Sequence, residues 1–200
     1  MGCNMKLLFP TVIHEIKVKK FKSRKKDLLK FVYEQREKDP QGVVFSNVGG
    51  WQSQPNYIQF NNILLTIISE TLRDYFNNNV VDMGKGINFE ALWMNINKRG
   101  DYNVTHNHPL NHMAGVFWIN TPEGCGNFEC QSPHSYDYSH ESAVYTSEFR
   151  EKSNSYGSYG FLPAEGTILL FPASLNHRVT PSQSDEDRIS ASFNLTLKVQ

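Results

Sequence analysis

Apolar side chains recur along this chain with two different periods. In residues 61–79, NNILLTIISETLRDYFNNN, the positions Ile63, Leu64, Ile67, Ile68, Leu72 and Phe76 return at intervals of three and four, the spacing that lines one face of an α-helix. Such a stripe predicts a helix built to cover a sheet. A second helix is predicted in DLLKFVYEQREKDP, where Leu28, Leu29, Phe31 and Val32 face the core. Ser23 is its candidate N-cap, and Pro40 lies just beyond its end. The run KVKKFKSRKK ahead of it interleaves Ile16, Val18 and Phe21 with cations, as a solvated or edge strand leading into the helix does. Acidic residues follow at once, which argues against a nucleic-acid patch there.

After residue 88 the period shortens. FEALWMNINKRG alternates around Leu92, Met94 and Ile96, and MAGVFWIN, NFEC, AEGTILLFP and RISASFNLTLKV follow, separated by Gly, Pro, Asn and Ser. Helices early and antiparallel strands late predict a mainly β domain with flanking helices packed outside a small sandwich or barrel. Residues 1–200 are expected to form one domain, the N-terminal helices supporting the C-terminal strands. Between the helices, FSNVGGWQSQPNY reads as a structured loop anchored by Trp51, or as a pocket wall. The polar stretch QSPHSYDYSHESAVYTSEFREKSNSYGSYG is too long for a hairpin turn and reads as a lid or a structural excursion.

Composition narrows the classes of function. Lys plus Arg equals Asp plus Glu at 20 each, so no global field attracts nucleic acid. No stretch approaches a membrane-spanning length, and LLFPTV is too short for a signal segment. The expectation is a soluble cytoplasmic protein, of a bacterium or a phage-infected cell, with no membrane or nucleic-acid partner. Cys3, Cys125 and Cys130 are odd in number and lack a zinc or redox spacing, which suits free thiols. The start MGC places Lys6 where an acylation signal needs Ser or Thr. No strongly periodic assembly segment bears on oligomeric state.

The histidines carry the candidate chemistry. In THNHP, His106 and His108 share a face if the segment is extended, and His177 follows the apolar run ILLFP, which can set it at a strand end. Imidazoles suit ferrous iron, zinc, copper or nickel alike. Arg188 and Ser190 stand two apart on the next predicted strand. Facing one cavity, a guanidinium and a hydroxyl form a seat for a carboxylate. His112 is expected at a rim or on the surface, and His134 and His140, in the polar excursion, on the surface.

LFPTV, FSNVGGWQS, WMNINKRGDYNVTHNHP, MAGVFWINTPEG, GTILLFPASLNHRVTP and RISASFNL together resemble the iron(II)- and 2-oxoglutarate-dependent oxygenases, within them the prolyl-hydroxylase-like group of phage and bacterial proteins. The resemblance implies a double-stranded β-helix, the jelly roll also found in cupins. It implies that His106 and His177 hold Fe(II), that Arg188 and Ser190 hold the far carboxylate of 2-oxoglutarate, and that Trp118 lies against the cofactor.

One position departs from the pattern. The family triad is HxD or HxE with a distal histidine, whereas this chain has HNH, with His108 at the acidic position. Either three histidines hold the metal, or the carboxylate comes from elsewhere, Glu129 and Asp101 being the sources at hand, or water replaces it. The activity implied is oxidative decarboxylation of 2-oxoglutarate with molecular oxygen, giving succinate and carbon dioxide while a peptide side chain or small metabolite is hydroxylated. The alternative from a different class is a non-catalytic metal- or ligand-binding β-helix protein. Nucleic-acid demethylation fits poorly with the balanced charge.

Overall fold

A computed structural model describes residues 9–57, 62–79, 86–134 and 144–197. Eleven strands are present among them: β1 His14–Lys17, β2 Asn47–Val48, β3 Trp51–Gln52, β4 Ile87–Asn97, β5 Tyr102–His106, β6 Met113–Asn120, β7 Phe128–Gln131, β8 Ser158–Phe161, β9 Thr167–Pro172, β10 His177–Val179 and β11 Arg188–Leu197. They form two antiparallel sheets, ordered β1-β9-β6-β11-β4-β3 and β2-β5-β10-β7-β8. From β4 onward the chain passes back and forth between the sheets. That is the double-stranded β-helix expected from the sequence.

Period-two alternation decides what each face meets. On β11, Ile189, Ala191, Phe193 and Leu195 turn outward and, with Leu92, Met94 and Ile96 of β4, form a core against two helices. These are α1, Phe21–Lys38, and α2, Ile63–Asn79. Helix α2 lays Leu64, Ile67, Ile68, Leu72 and Phe76 on this face, all at 2% exposure or less, as its periodicity predicts. Helix α1 contributes Leu28 and Val32, with Leu29 and Phe31 partly buried beside them. A second cluster, including Ala114, Val116, Trp118, Phe128, Leu169 and Phe171, fills the space between the sheets.

The start of α1 corrects the expectation for Ser23. The helix begins at Phe21, with Lys20 in the left-handed region as the residue before it. Ser23 lies inside the first turn, and its hydroxyl donates to the Lys20 carbonyl at 2.8 Å instead of accepting from a helix N–H. Burial of Phe21 decides the boundary: its ring meets Phe117 edge-on at 5.9 Å, and burial there outweighs one exposed cap.

Two further readings are refined. FSNVGGWQSQPNY is two short strands, with Gly49 and Gly50 at positive φ between them. Trp51 anchors it as expected, its indole N–H donating to the Asp39 carbonyl at 2.8 Å. Within the polar excursion, α3 (Ser147–Ser153), capped by Thr146, precedes β8; His140 and its neighbours 135–143 lie outside the described residues.

Gly115 of β6 sits directly under the Phe193 ring, where an added methyl group would lie 2.2 Å from the ring's tip. Phe193 is fully buried and cannot swing away. Gly115→Ala is therefore expected to cost about 1–3 kcal/mol by overpacking, read as a lower urea midpoint with an unchanged slope.

Candidate metal and cofactor site

Three strand ends converge on one cavity of about 570 Å³ between the sheets. The register sets His177 of β10 opposite His106 of β5. The two imidazole centroids are 4.3 Å apart. His108 follows β5 by two residues, outside the strand, yet its ring lies 5.2 Å from His106 and 5.1 Å from His177. Its backbone N–H donates to the Ala173 carbonyl at 2.8 Å, which ties the end of THNHP to the turn after β9. The donor nitrogens of the three rings lie within 4.8 Å of one another, a separation that one ion can draw together.

The tautomers are set by the backbone. His106 Nδ1 lies 2.8 Å from the Val104 carbonyl, and His177 Nδ1 lies 2.8 Å from the Leu175 carbonyl. A carbonyl only accepts, so each Nδ1 carries the proton and each Nε2 presents a lone pair that a metal could take. His177 is further clamped by aromatic rings, Phe128 nearly parallel at 5.1 Å and Phe171 edge-on at 4.8 Å.

Burial also removes protons from these rings. Desolvation lowers His106 below the ordinary imidazole value. It lowers His108 to about 4, with the His106 charge adding to it, and His177 to about 3, with His106 again the next cause. At neutral pH all three are lone-pair donors. The linkage has a definite sign: below pH 6.5 the unfolded chain takes up protons that the folded one refuses, so stability falls as pH drops from 6.5 toward about 4 and is unaffected by these rings above 7. His108→Gln removes one such group. In the metal-free protein its urea midpoint, relative to the unmutated chain, should rise as pH falls through that window.

The candidate carboxylates are elsewhere. Glu129 is opposite Arg178 in the β7–β10 pair and forms an ion pair with it at 2.7 Å, on the face away from His177. Asp101 accepts from the Lys98 backbone N–H at 2.7 Å and closes the β4–β5 turn. Alternation along β7 and the turn geometry therefore keep both acids out of the cluster. His112 and His134 are exposed, as expected, and His112 Nδ1 accepts from the Leu197 backbone N–H at 2.9 Å.

Arg188 and Ser190 line the same cavity as the imidazoles. Arg188 is 2% exposed, forms no ion pair among the described residues, and has a buried Nε without a partner. Burial lowers its pKa, the nearby Cys125 thiol opposing this, but a guanidinium remains a cation inside a protein. Cys125 and Cys130 are both buried and unpaired, and burial pushes the Cys130 thiol up to about 12, which disfavours a thiolate ligand. Trp118 is fully buried on β6 opposite Ser190, its indole N–H without a partner, but it packs in the inter-sheet core and does not line the cavity.

Sequence reasoning overlooked Ser46 and Asn103. The Ser46 hydroxyl lies 3.4 Å from His106 Nε2 and accepts from Asn103 Nδ2 at 3.2 Å. Both lie in segments that the sequence singled out, FSNVGGWQS and WMNINKRGDYNVTHNHP, but neither position carries a signal of its own; only pairing of β2 with β5 brings FSNVGG against the histidines.

The donor set fits the two cofactors differently. Three neutral nitrogens suit a borderline divalent ion such as iron, zinc or nickel. An enclosed guanidinium with no carboxylate partner fits the far end of a dicarboxylate.

Comparison with known proteins gives one family match and several structures of similar fold. The family described as "Putative 2OG-Fe(II) oxygenase" matches residues 91–194, a span containing all three imidazoles, Trp118, Arg188 and Ser190. A prolyl-4-hydroxylase from Pseudomonas putida superposes with a TM-score of 0.60 at 12% identity, over 95% of this chain and 94% of that one. The viral collagen prolyl hydroxylase of Paramecium Bursaria Chlorella virus-1, in its 2OG complex, gives 0.56 at 14% identity, over 94% and 96%. HygX from Streptomyces hygroscopicus, with nickel, 2-oxoglutarate and hygromycin B bound, gives 0.63 at 9% identity, over 93% and 83%. At these identities the likeness is one of fold. No curated protein matches the chain.

Proposed function

The chain belongs to the 2OG-Fe(II) oxygenase family, whose cofactors are Fe(II) and 2-oxoglutarate, and from that premise we propose that it oxidises a peptide side chain or a small metabolite at a three-histidine centre. In this reading His106, His108 and His177 hold Fe(II) through nitrogen, and no carboxylate takes part. Arg188 binds the far carboxylate of 2-oxoglutarate, with Ser190 adding a hydrogen bond. The observation that carries the reading is Arg188, a cation enclosed by protein and without an anion among the described residues.

Bound together, iron and 2-oxoglutarate supply the activation of oxygen, a chemistry that no side chain provides. In the reaction this chemistry would support, one atom of O2 would end in a hydroxyl on the substrate carbon and the other in succinate, with carbon dioxide released from 2-oxoglutarate. The residues of the chain position these reactants. The Val104 and Leu175 carbonyls fix which nitrogens of His106 and His177 face the metal. Phe128 and Phe171 hold the His177 ring and keep water from one side of it. Neutral imidazoles leave the divalent charge to be offset by 2-oxoglutarate itself, so iron is expected to be held weakly until the cofactor binds.

Trp118, the cross-strand neighbour of Ser190, contributes to the cofactor end only through packing. Among the described residues no helix is long and apolar enough to cross a membrane.

The test is oxygen consumption by the Fe(II)-loaded chain with and without 2-oxoglutarate. Succinate formed in step with oxygen consumed supports the proposal. Metal and 2-oxoglutarate binding with no oxygen uptake in any condition would instead assign a non-catalytic binding protein, which the replacement of the acidic ligand by His108 keeps in contention.

A further inference from the structure

The cavity continues past the metal site, and its far end differs in chemistry from the cofactor end. Inward positions on β11 run Arg188, Ser190, Ser192 and Asn194, and all four line the cavity. At about 3.4 Å per residue this wall is roughly 20 Å long. A five-carbon dicarboxylate seated on Arg188 is roughly 5–7 Å long, from carbon–carbon bonds of about 1.5 Å. The level of the metal is marked by Trp93, which pairs with Ser192 and whose ring centroid lies 5.7 Å from that of His108. Beyond it lie Ala91, Pro55 and Asn194, space that the cofactor does not reach.

This outer end carries no charge. Arg188 is the one charged side chain among the described residues that line the whole cavity, and it lies at the opposite end of β11. Asn194 Oδ1 is buried and has no hydrogen-bond partner. An unpaired buried amide oxygen costs about 1–3 kcal/mol until a donor reaches it. The group that complements an amide in both directions is another amide, because each presents a donor and an acceptor. A free amino acid or a cation would bring charges that nothing here pairs, at a desolvation cost.

At the mouth of the cavity, exposed apolar side chains border the imidazoles, Phe45 and Val104 lining the cavity itself. Phe45 precedes Ser46 and is 68% exposed, Val104 stands two residues before His106, and Leu110 stands two after His108 at 99% exposure. Leu110 also adopts φ 69, a left-handed conformation that bulky residues rarely take. A small metabolite enclosed in the cavity would leave this collar in water, whereas a polypeptide crossing the mouth would cover it.

We propose that the mouth of this cavity selects an uncharged residue within a polypeptide, with Asn194 meeting an amide of the substrate and Phe45, Val104 and Leu110 covering apolar flanking residues. This rests on the oxygenase reading above and narrows its substrate to one class. Free amino acids, zwitterionic metabolites and peptides with a charged central residue are excluded.

The test uses the full chain loaded with Fe(II) and 2-oxoglutarate. The probes are N-acetylated, C-amidated nonapeptides with a fixed central residue and apolar flanks, alongside the free amino acids, and succinate release above the substrate-free rate is measured. Peptides with an uncharged centre should stimulate release at least tenfold more than those centred on Lys, Arg, Asp or Glu, and free amino acids should not stimulate it. Asn194→Asp, nearly isosteric, should raise the Lys-centred relative to the neutral peptides at least tenfold. Leu110→Ser, at a fully exposed position, should raise half-saturation for the best peptide at least fivefold. The proposal is overturned if charged or free amino acids are preferred, if no peptide stimulates, or if Asn194→Asp leaves selectivity unchanged. A cofactor-dependent iron spectrum with any of those outcomes removes this inference alone. Loss of the spectrum in the unmutated chain removes the oxygenase reading with it.

Discussion

Replacing Arg188 by Met should do two opposite things: weaken 2-oxoglutarate binding at least about thirtyfold and stabilise the cofactor-free protein. The side chain is 2% exposed and has no ion pair among the described residues. A buried ion without a partner carries a penalty of several kcal/mol even after relaxation. Met fills similar volume without a charge, so the cofactor-free variant should gain about 2 kcal/mol. For a chain of this size that raises Tm by roughly 4–8 °C. Removing one partner of a buried charged pair costs about 2–5 kcal/mol of binding, so 2-oxoglutarate affinity should fall by at least about thirtyfold. Ligand at a hundred times its Kd adds about 2.7 kcal/mol to the stability of the protein that binds it. Thermal unfolding with and without 2-oxoglutarate therefore reads both effects: a large ligand shift in the unmutated chain, and a higher baseline with a shift of at most about a third of that size in the variant. A lower baseline with the ligand shift retained would mean that Arg188 is a structural cation and that the cofactor binds elsewhere.

Substitutions in the imidazole cluster should follow an order set by how each ring is held. His177 is the most enclosed, clamped by the Leu175 carbonyl and by Phe128 and Phe171, and among the described residues only His106 and His108 join it in the cluster. His177→Ala should reduce metal affinity by more than the 10–100-fold typical of disturbing a ligand's supporting partner. His108 is less constrained and sits where relatives in the family carry an acid. His108→Ala should weaken metal binding, whereas His108→Asp should equal or exceed the unmutated chain, because a carboxylate adds negative charge beside a divalent ion. Titration with Co(II), followed by its visible absorption, ranks the variants without need of activity. Equal affinities for His108→Ala and the unmutated chain would leave a two-histidine site.

Much of this was legible in the sequence, for reasons that can be traced to particular residues. Helix α2 and strand β4 are long enough for periodicity to declare both type and buried face, β6 and β9 read as strands from apolar runs bounded by turn residues, and Arg188 and Ser190 inherited their common wall from alternation along β11. Strands β2, β3, β8 and β10 are two to four residues long and carry no period to read. Their positions come from pairing with distant neighbours. The same limit hid Ser46 and Asn103, which reach the histidines only because β2 pairs with β5. The start of α1 was misplaced because Ser23 carries a cap preference, while burial of Phe21, a tertiary effect, decided the boundary. Residue types left Glu129 and Asp101 open as carboxylate sources, and only three-dimensional placement, in the Arg178 ion pair and the Lys98 turn, sets both apart from the imidazoles.

The central claim is a three-histidine iron centre completed by 2-oxoglutarate. The most direct measurement is anaerobic reconstitution with Fe(II) and 2-oxoglutarate, recording iron per chain and the visible charge-transfer band for the unmutated protein and for His108→Ala. The account predicts one iron per chain and a 2-oxoglutarate-dependent band that is lost or strongly weakened in the variant. An undiminished band in His108→Ala, or no iron in the unmutated chain at saturating cofactor, would contradict it.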